Sequence, residues 1–181
     1  MHTAFMNKRW EELTMIKEKD LREMRPQVRF AQGQNIDLSV VQSALQQNAD
    51  ENGIPVAFSR DQVKYGGLIG GGTDDCLILS HPQHPKDYFR ICIRVKHQGN
   101  YAFVSVNDFG ESRLLGNAAT SEYTKNAVKD AFHGGSAAGA VGAVIGKGLR
   151  TLVMGGSNKQ KLEEEQNWYA MVSDLFDNII S

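Results

Sequence analysis

The chain has 181 residues, of which 41% are hydrophobic and 23% are charged, and its 20 basic and 21 acidic side chains leave a formal net charge of -1. A chain of this length buries enough apolar surface to fold as one domain without disulfides or a structural metal. The balanced charge supplies no long-range field that would attract nucleic acid or anionic lipid, so a dedicated nucleic-acid-binding protein is not expected.

The N-terminal region 1–33 carries the first predicted element. From about Ala4 to Met24, apolar residues recur at helical spacing among charged ones, which predicts an amphipathic helix. Pro26 ends this helix because the residue before a proline avoids the helical conformation. A narrow apolar stripe of this kind packs either on the protein's own sheet or on a partner helix.

Residues 34–118 form the predicted α+β core, which begins with a helix over Leu38–Asn52. Asp37 or Asn35 can cap the start of this helix, and Gly53 is a good C-terminal stop. Further strands are predicted at Ile54–Phe58, at Cys76–Ser80 and, more weakly, near Gln62–Leu68.

Residues 88–107 change to a period of two and predict an antiparallel hairpin. Gly99-Asn100 is the predicted two-residue turn, since both residues tolerate positive φ. Cys76 and Cys92 lie in strand-like apolar runs, and no signal-peptide pattern precedes the charged N-terminal pattern. A cytoplasmic protein with two buried free thiols is therefore expected, with a disulfide between them as the alternative.

Residues 119–181 form a predicted C-terminal helical region. It contains a short helix over Ser121–Phe132 and a last helix over Lys159–Ile180, which Ser157 or Asn158 can cap. The whole pattern predicts an α+β fold, with an antiparallel sheet of about four or five strands flanked by N- and C-terminal helices. A Gly/Ala-rich helical segment or hairpin completes it.

That segment, residues 134–156, is the most unusual part of the sequence, since eight of its 23 residues are glycine. Glycine costs about 0.5–1 kcal/mol relative to alanine inside a helix, and close approach of another helix is the usual compensation. The spacing resembles that of glycine zippers in membrane-associated proteins. The residues that would lie near one helical ridge are Gly135, Gly139, Gly142 and Gly146.

A membrane role for this segment is the alternative. The charge-free part, 134–146, is shorter than the roughly 20 apolar residues of a spanning helix, and Lys147 and Arg150 follow it. Conditional insertion or a surface-lying helix stays open, whereas packing within the protomer or between protomers is favoured.

A loop with two histidines three residues apart, His81 and His84, is the candidate metal site. Asp74 or Asp75 is the candidate carboxylate ligand, although adjacent residues of a strand point to opposite faces. With the two histidines, either carboxylate would serve a metal-assisted hydrolase. Sequence spacing brings no further ligands to them, so solvated turn histidines are favoured, and no metal or other cofactor is predicted. Gly70-Gly71-Gly72 precedes a strand, which is the reverse of the order in a phosphate-binding loop, so a mobile or tight-turn loop is expected.

One face of the predicted hairpin is basic and aromatic and is the most site-like surface. It could stack bases or hold an acidic partner peptide, or acidic residues of the N-terminal region could cover it. Its residues are Arg90, Arg94, Lys96, Tyr101 and Phe103.

These features favour a non-enzymatic binding or assembly protein over an enzyme. The expected partners are a second copy of the chain or another protein, reached through close-packed helices of small residues. A peripheral or conditionally inserting membrane protein is the first alternative, and the metal-assisted hydrolase is the second.

Overall fold

The computed structural model of the protein describes residues 15–31, 35–66, 70–110, 112 and 156–179. These residues form a mixed six-stranded sheet and two α-helices, which confirms the α+β class. The chain divides into two compact units. The first unit comprises Phe58–Leu79, Ile91–Phe109 and the described residues up to Gln42. The second comprises Ser43–Ala57, Ser80–Arg90 and the described residues from Gly110 onward.

The strands follow the order β1-β3-β4-β5-β6-β2 across the sheet. A short 3-10 turn, Glu18–Asp20, separates the first two of them in the chain. The elements are β1 (Ile16–Lys17), β2 (Arg22–Ala31), α1 (Leu38–Asn52), β3 (Ala57–Gly66), β4 (Gly71–Ser80), β5 (Arg90–Gln98), β6 (Tyr101–Phe109) and α2 (Gly156–Ile179).

Helix α1 begins and ends where its capping residues predict. The Asp37 carboxylate accepts hydrogen bonds from the backbone N–H groups of Ser39 (2.7 Å) and Val40 (2.8 Å), which lack partners within the helix. At the other end the chain turns at Gly53, and the N–H of Ile54 donates to the carbonyl of Ala49 at 2.9 Å. This bond satisfies one of the last free carbonyl groups of the helix.

The predicted hairpin is present as β5 and β6, which are neighbours in the sheet and are separated by Gly99 and Asn100. Gly99 has a φ of 57°, a left-handed conformation that glycine adopts without steric cost. On the other side of β5, strand β4 runs antiparallel, with Leu77 opposite Ile93 and Leu79 opposite Ile91. The hairpin therefore lies in the interior of the sheet.

The predicted N-terminal helix is wrong over the described residues of region 1–33. From Ile16 onward the chain forms β1, the 3-10 turn and β2, and residues before 15 lie outside the described part. Pro26, which would have broken a helix, is tolerated because β2 is an edge strand of the sheet formed by the described residues. A proline there lacks an N–H group without disrupting pairing on both sides. The helical spacing of apolar residues was overridden by pairing of β2 with β6 and of β1 with β3.

The strand count and direction also differ from the prediction of about four or five antiparallel strands. The described residues form six strands, and β1 pairs with β3 in parallel, with Ile16 opposite Val63. Residues 54–56 of the strand predicted at 54–58 are not in a strand, and residues 67–68 of the strand predicted at 62–68 lie outside the described residues. The remaining residues of both predictions belong to one strand, β3, over Ala57–Gly66. Polar residues in its middle, Ser59–Asp61, interrupt the apolar pattern without interrupting the strand, since ladder hydrogen bonds need only backbone groups.

Apolar side chains of the N-terminal segment help to build the core of the first unit. Ile16 belongs to its buried cluster, and Leu21 packs against that cluster. Cys76 and Cys92 belong to it as well, and both are free thiols, as predicted. The buried cluster is Ile16, Val63, Cys76, Ile78, Cys92 and Phe109.

The second unit is built around α2, whose buried residues recur at intervals of three and four. Trp168 donates its indole N–H to the carbonyl of Pro55 at 2.8 Å, and the Phe89 and Tyr169 rings meet edge to face at 6.3 Å. No helix in the described part of the chain is long and apolar enough to cross a membrane. The predicted helix at 121–132 and residues 134–155 of the glycine-rich segment lie outside that part.

Candidate functional site

A cleft of about 660 Å³ opens in the first unit beside the N-terminus of α1. Three carboxylates, one ammonium group and one imidazole are among its lining groups, together with hydroxyl and phenol groups. The lining residues of this acidic cleft are Asp37, Leu38, Ser39, Tyr65, Thr73, Asp74, Asp75, Val95, Lys96 and His97.

The helix side of the acidic cleft carries a carboxylate that stays ionised. Hydrogen bonds from the backbone N–H groups of Val40 and Ser39 lower the pKa of Asp37. The Ser39 hydroxyl accepts a hydrogen bond from the Arg60 guanidinium at 3.3 Å, and the same guanidinium donates to Gln42 at 3.1 Å. The start of α1 is thus held by its own cap and by a side chain of β3.

The strand side of the acidic cleft is formed mainly by β4 and β5, which pair in an antiparallel ladder. Leu77 lies opposite Ile93, and continuing that register places Asp74 opposite Lys96 and Asp75 opposite Val95. Because successive side chains of a strand point to opposite faces, Asp74 and Asp75 face opposite sides of the sheet. They therefore cannot converge on one cation.

Asp74 and Lys96 form a close ion pair, with the ammonium nitrogen 2.6 Å from the carboxylate oxygen. The same ammonium lies 5.1 Å from the centroid of the Tyr65 ring, within the range of a cation–π interaction. The Tyr65 ring in turn crosses Gly72 so closely that a Cβ atom there would lie 2.5 Å from the phenol oxygen. Of the three glycines predicted as a loop, Gly70 precedes β4 and Gly71 and Gly72 begin it, and Gly72 makes room for the aromatic ring.

Asp75 is the carboxylate of the cleft without a cationic partner among the described residues. It is exposed and accepts a hydrogen bond from the amide of Gln62 at 2.8 Å. The neighbouring lining residues Thr73 and His97 are exposed as well. With Asp74 paired to Lys96, Asp37 and Asp75 remain as lining carboxylates, and besides the backbone hydrogen bonds Arg60 also lies close enough to lower the pKa of Asp37. Asp75 is therefore the carboxylate on which the negative charge of the cleft mainly rests.

Arg94, on β5, is buried and contacts Glu18 of the 3-10 turn. Its guanidinium lies 3.1 Å from Glu18 and 3.8 Å from Asp74, and the residue is only 8% exposed. Two residues of the basic and aromatic face predicted from sequence, Arg94 and Lys96, are therefore ion-paired. Arg94 pairs with Glu18 and Asp74, and Lys96 also pairs with Asp74. Arg90 belongs to the other compact unit.

Tyr101 and Phe103 lie on β6, the second strand of the hairpin. Tyr101 is 42% exposed, and its ring centroid is 6.4 Å from that of Phe103. The Arg29 guanidinium of β2 lies over the Tyr101 ring at 4.7 Å from its centroid. Arg29 and Tyr101 are exposed and Phe103 is half-buried, so the three side chains form a cationic and aromatic surface.

His81 and His84, the candidate metal ligands, belong to an aromatic cluster of the second unit. The His84 ring stacks on Tyr88 at 4.5 Å, and His81 meets the edge of Trp168 at 5.5 Å. Burial and the neighbouring His84 lower the pKa of His81. In the part of the chain that the structure describes, no group of three or more His, Cys, Asp or Glu side chains is arranged to hold a metal ion.

The sequence prediction missed a buried carboxyl group in α2. Glu165 is 0% exposed and accepts hydrogen bonds from the Phe89 backbone N–H at 3.1 Å and from the Ser112 hydroxyl at 2.5 Å. Burial raises the pKa of Glu165 to about 7, although both hydrogen bonds act in the opposite direction. The available signal was its position three residues from both Leu162 and Trp168, which places it on the apolar stripe.

Gly135, Gly139, Gly142 and Gly146 lie outside the described residues, so the predicted small-residue contact stays a prediction. The chain matches no family model, no curated protein and no solved structure.

Proposed function

We propose that this protein is a non-enzymatic binding protein that holds a small cationic ligand in the acidic cleft. The observation that carries the proposal is Asp75, a lining carboxylate that faces the side of the sheet opposite to the Asp74–Lys96 pair. The Asp74–Lys96 pair offsets one negative charge, and Asp75 has only the neutral Gln62 amide as its partner among the described residues. A ligand ammonium or guanidinium group would supply the missing positive charge.

The size and polarity of the cleft support a small polar ligand. Pockets that hold small molecules measure roughly 300–1,000 Å³, and the acidic cleft, at about 660 Å³, falls within that range. Hydroxyl groups of Ser39 and Thr73 offer both donors and acceptors beside the carboxylates. Hydrogen bonds between a carboxylate and a cationic donor are about twice as strong as neutral ones.

The Lys96 side chain supplies an internal example of the same chemistry. Its ammonium sits between a carboxylate, Asp74, and an aromatic ring, Tyr65. We infer that Asp75 and the exposed groups around it act on a ligand cation as Asp74 acts on Lys96.

The test is isothermal titration calorimetry with argininamide, which carries an ammonium and a guanidinium group and no carboxylate. We expect saturable binding that weakens as ionic strength rises. Asp75→Asn should weaken it by about tenfold or more, because a charge-assisted hydrogen bond contributes about 1.5–3 kcal/mol. The variant should fold normally, since the amide oxygen of the substituted side chain can still accept the bond from Gln62.

Asp50→Asn is the matched control, because Asp50 is exposed, lies on α1 outside the cleft lining, and undergoes the same change in charge. It should leave the affinity unchanged. Argininamide that fails to bind, or that binds equally to the Asp75 and Asp50 variants, would contradict the proposal.

Self-association through the glycine-rich segment is our second proposal, and the spacing of Gly135, Gly139, Gly142 and Gly146 supports it. Sedimentation at high concentration should detect an oligomer, and Gly142→Leu should disrupt folding or assembly because a close helix contact leaves no room for the side chain. A compact monomer at all concentrations would remove this proposal. Flotation with anionic and neutral vesicles tests the membrane alternative separately.

A further inference from the structure

Strand β2 forms one end of the six-stranded sheet, and its outer edge faces no other described strand. It is ten residues long, and none of its residues is buried. An unpaired strand edge presents backbone N–H and C=O groups that can pair with a further strand.

The first half of β2 is poorly suited to such pairing. Its ladder with β6 contains register shifts between Glu23 and Arg25 and between Arg25 and Val28. Pro26 lies between these shifts and has no N–H group to donate. The regular part is Val28–Ala31, which pairs residue by residue with β6. An added strand would therefore align with this short stretch.

The charge of β2 determines which strand it can accept. Strand β2 carries three arginines, Arg22, Arg25 and Arg29, and one acidic residue, Glu23. Arg22 lies opposite Asp108 of β6, so the exposed charge next to the regular stretch is that of Arg29. Edge-to-edge pairing of two copies of β2 would bring together two strands that each carry more arginines than acidic residues, which is less favourable than pairing with an acidic strand. An acidic segment of a different protein would instead be attracted to the arginines of β2.

The side chains beside the regular stretch provide a surface for the partner's side chains. Arg29 lies over the exposed Tyr101 ring, with Phe103 next to it. Two residues from Arg29 along β2, Gln27 donates a hydrogen bond to the Ser105 hydroxyl at 2.9 Å. An acidic side chain at this position would meet the Arg29 guanidinium, and an apolar one would lie against Tyr101.

We propose that the outer edge of Val28–Ala31 accepts an extended acidic segment of another protein as a seventh strand. Backbone hydrogen bonds supply the affinity. Arg29 selects segments with acidic side chains, and the Tyr101 ring favours an apolar side chain beside it. The short regular stretch makes this a weak, transient interaction. This partner site is separate from the acidic cleft and does not depend on the function proposed for it.

The test uses the full-length protein labelled with nitrogen-15 and a capped peptide of about eight residues in which threonine alternates with glutamate. We expect its addition to shift the amide signals of Val28–Ala31 progressively, while the matched peptide with lysine in place of glutamate leaves them unchanged. Arg29→Glu should weaken binding at least fivefold, since it replaces an attraction by a repulsion.

Lys86→Glu makes the same change in net charge at an exposed position in the loop between β4 and β5, and it should leave the affinity for the peptide unchanged. Thermal unfolding of both variants checks that each is folded. Equal binding of the two peptides, equal loss in the two variants, or shifts confined to other strands would overturn the proposal. So would concentration-dependent dimerisation that Arg29→Glu strengthens, because the edge would then belong to a second copy of the chain.

Discussion

Arg94 in the first unit and Glu165 in the second are both ionisable side chains buried within their own units. Arg94 lies between two carboxylates, those of Glu18 and Asp74. Glu165 is hydrogen-bonded to two neutral groups, the Phe89 N–H and the Ser112 hydroxyl, and burial raises its pKa to about 7.

The contrast shows what stabilises a buried charge. Neutral donors recover part of the hydration that a carboxylate loses, whereas an opposite charge also supplies a Coulombic attraction. We therefore expect the second unit to respond to pH near neutrality, and the first to respond mainly to loss of a charged partner.

The largest expected effect comes from Glu165→Gln. The folded pKa of about 7 lies above the ordinary value of 4.5, so the folded protein retains the proton that the unfolded chain releases. The resulting loss in the free energy of unfolding is absent below about pH 4.5 and grows as the pH rises. It is complete above about pH 7, where it amounts to roughly 3 kcal/mol. Glutamine cannot ionise, so the variant should be more stable than the wild type at about pH 8 by up to that amount, and similar to it at about pH 5.

Urea unfolding at both pH values measures the effect. Glu164→Gln, a neighbouring exposed position on the same helix, is the control and should change little at either pH. Equal pH dependence in the wild type and in Glu165→Gln would mean that Glu165 ionises at its ordinary pKa, and the contrast with Arg94 would fail.

The next effect is that of Arg94→Met, which removes the buried guanidinium and retains most of its volume. We expect a loss of roughly 2 kcal/mol in the free energy of unfolding, because Glu18 and Asp74 lose a shared partner. Arg22→Met, at an exposed position of β2, should cost no more than about 0.5 kcal/mol. Equal losses in these two variants would show that the buried ion pairs of Arg94 contribute nothing specific.

The smallest effect is expected for Glu18→Gln. The Glu18 side chain is half exposed, and its ion pair with Arg94 is accordingly screened by solvent. We predict a loss of about 0.5 kcal/mol at low ionic strength that shrinks further in high salt. A loss as large as that of Arg94→Met would assign the stabilisation to Glu18 rather than to the combined contacts.

Local chemistry made some elements predictable from sequence. The Asp37 cap and the Gly53 stop delimit α1, and the Gly99 turn delimits the hairpin, because each signal acts over only a few residues. The last helix was predicted within three residues of its observed start at Gly156. In each case the residues that determine the boundary are adjacent to it.

The N-terminal strands and the acidic cleft could not be predicted in the same way. β1 and β2 depend on pairing with β3 and β6, which lie far away in the sequence. The acidic cleft likewise combines the start of α1 with residues of β3, β4 and β5. Asp74 and Asp75 were candidate metal ligands from sequence, and the alternation of strand side chains, which the sequence already indicated, places them on opposite faces.

The binding function that we propose for the acidic cleft can be tested most directly by nuclear magnetic resonance of the nitrogen-15-labelled protein titrated with argininamide. We predict progressive, saturable shifts of the amide signals of Thr73, Asp75 and His97, and their loss in Asp75→Asn. Shifts that are absent, or that persist unchanged in Asp75→Asn, would contradict a cation-binding role for this cleft.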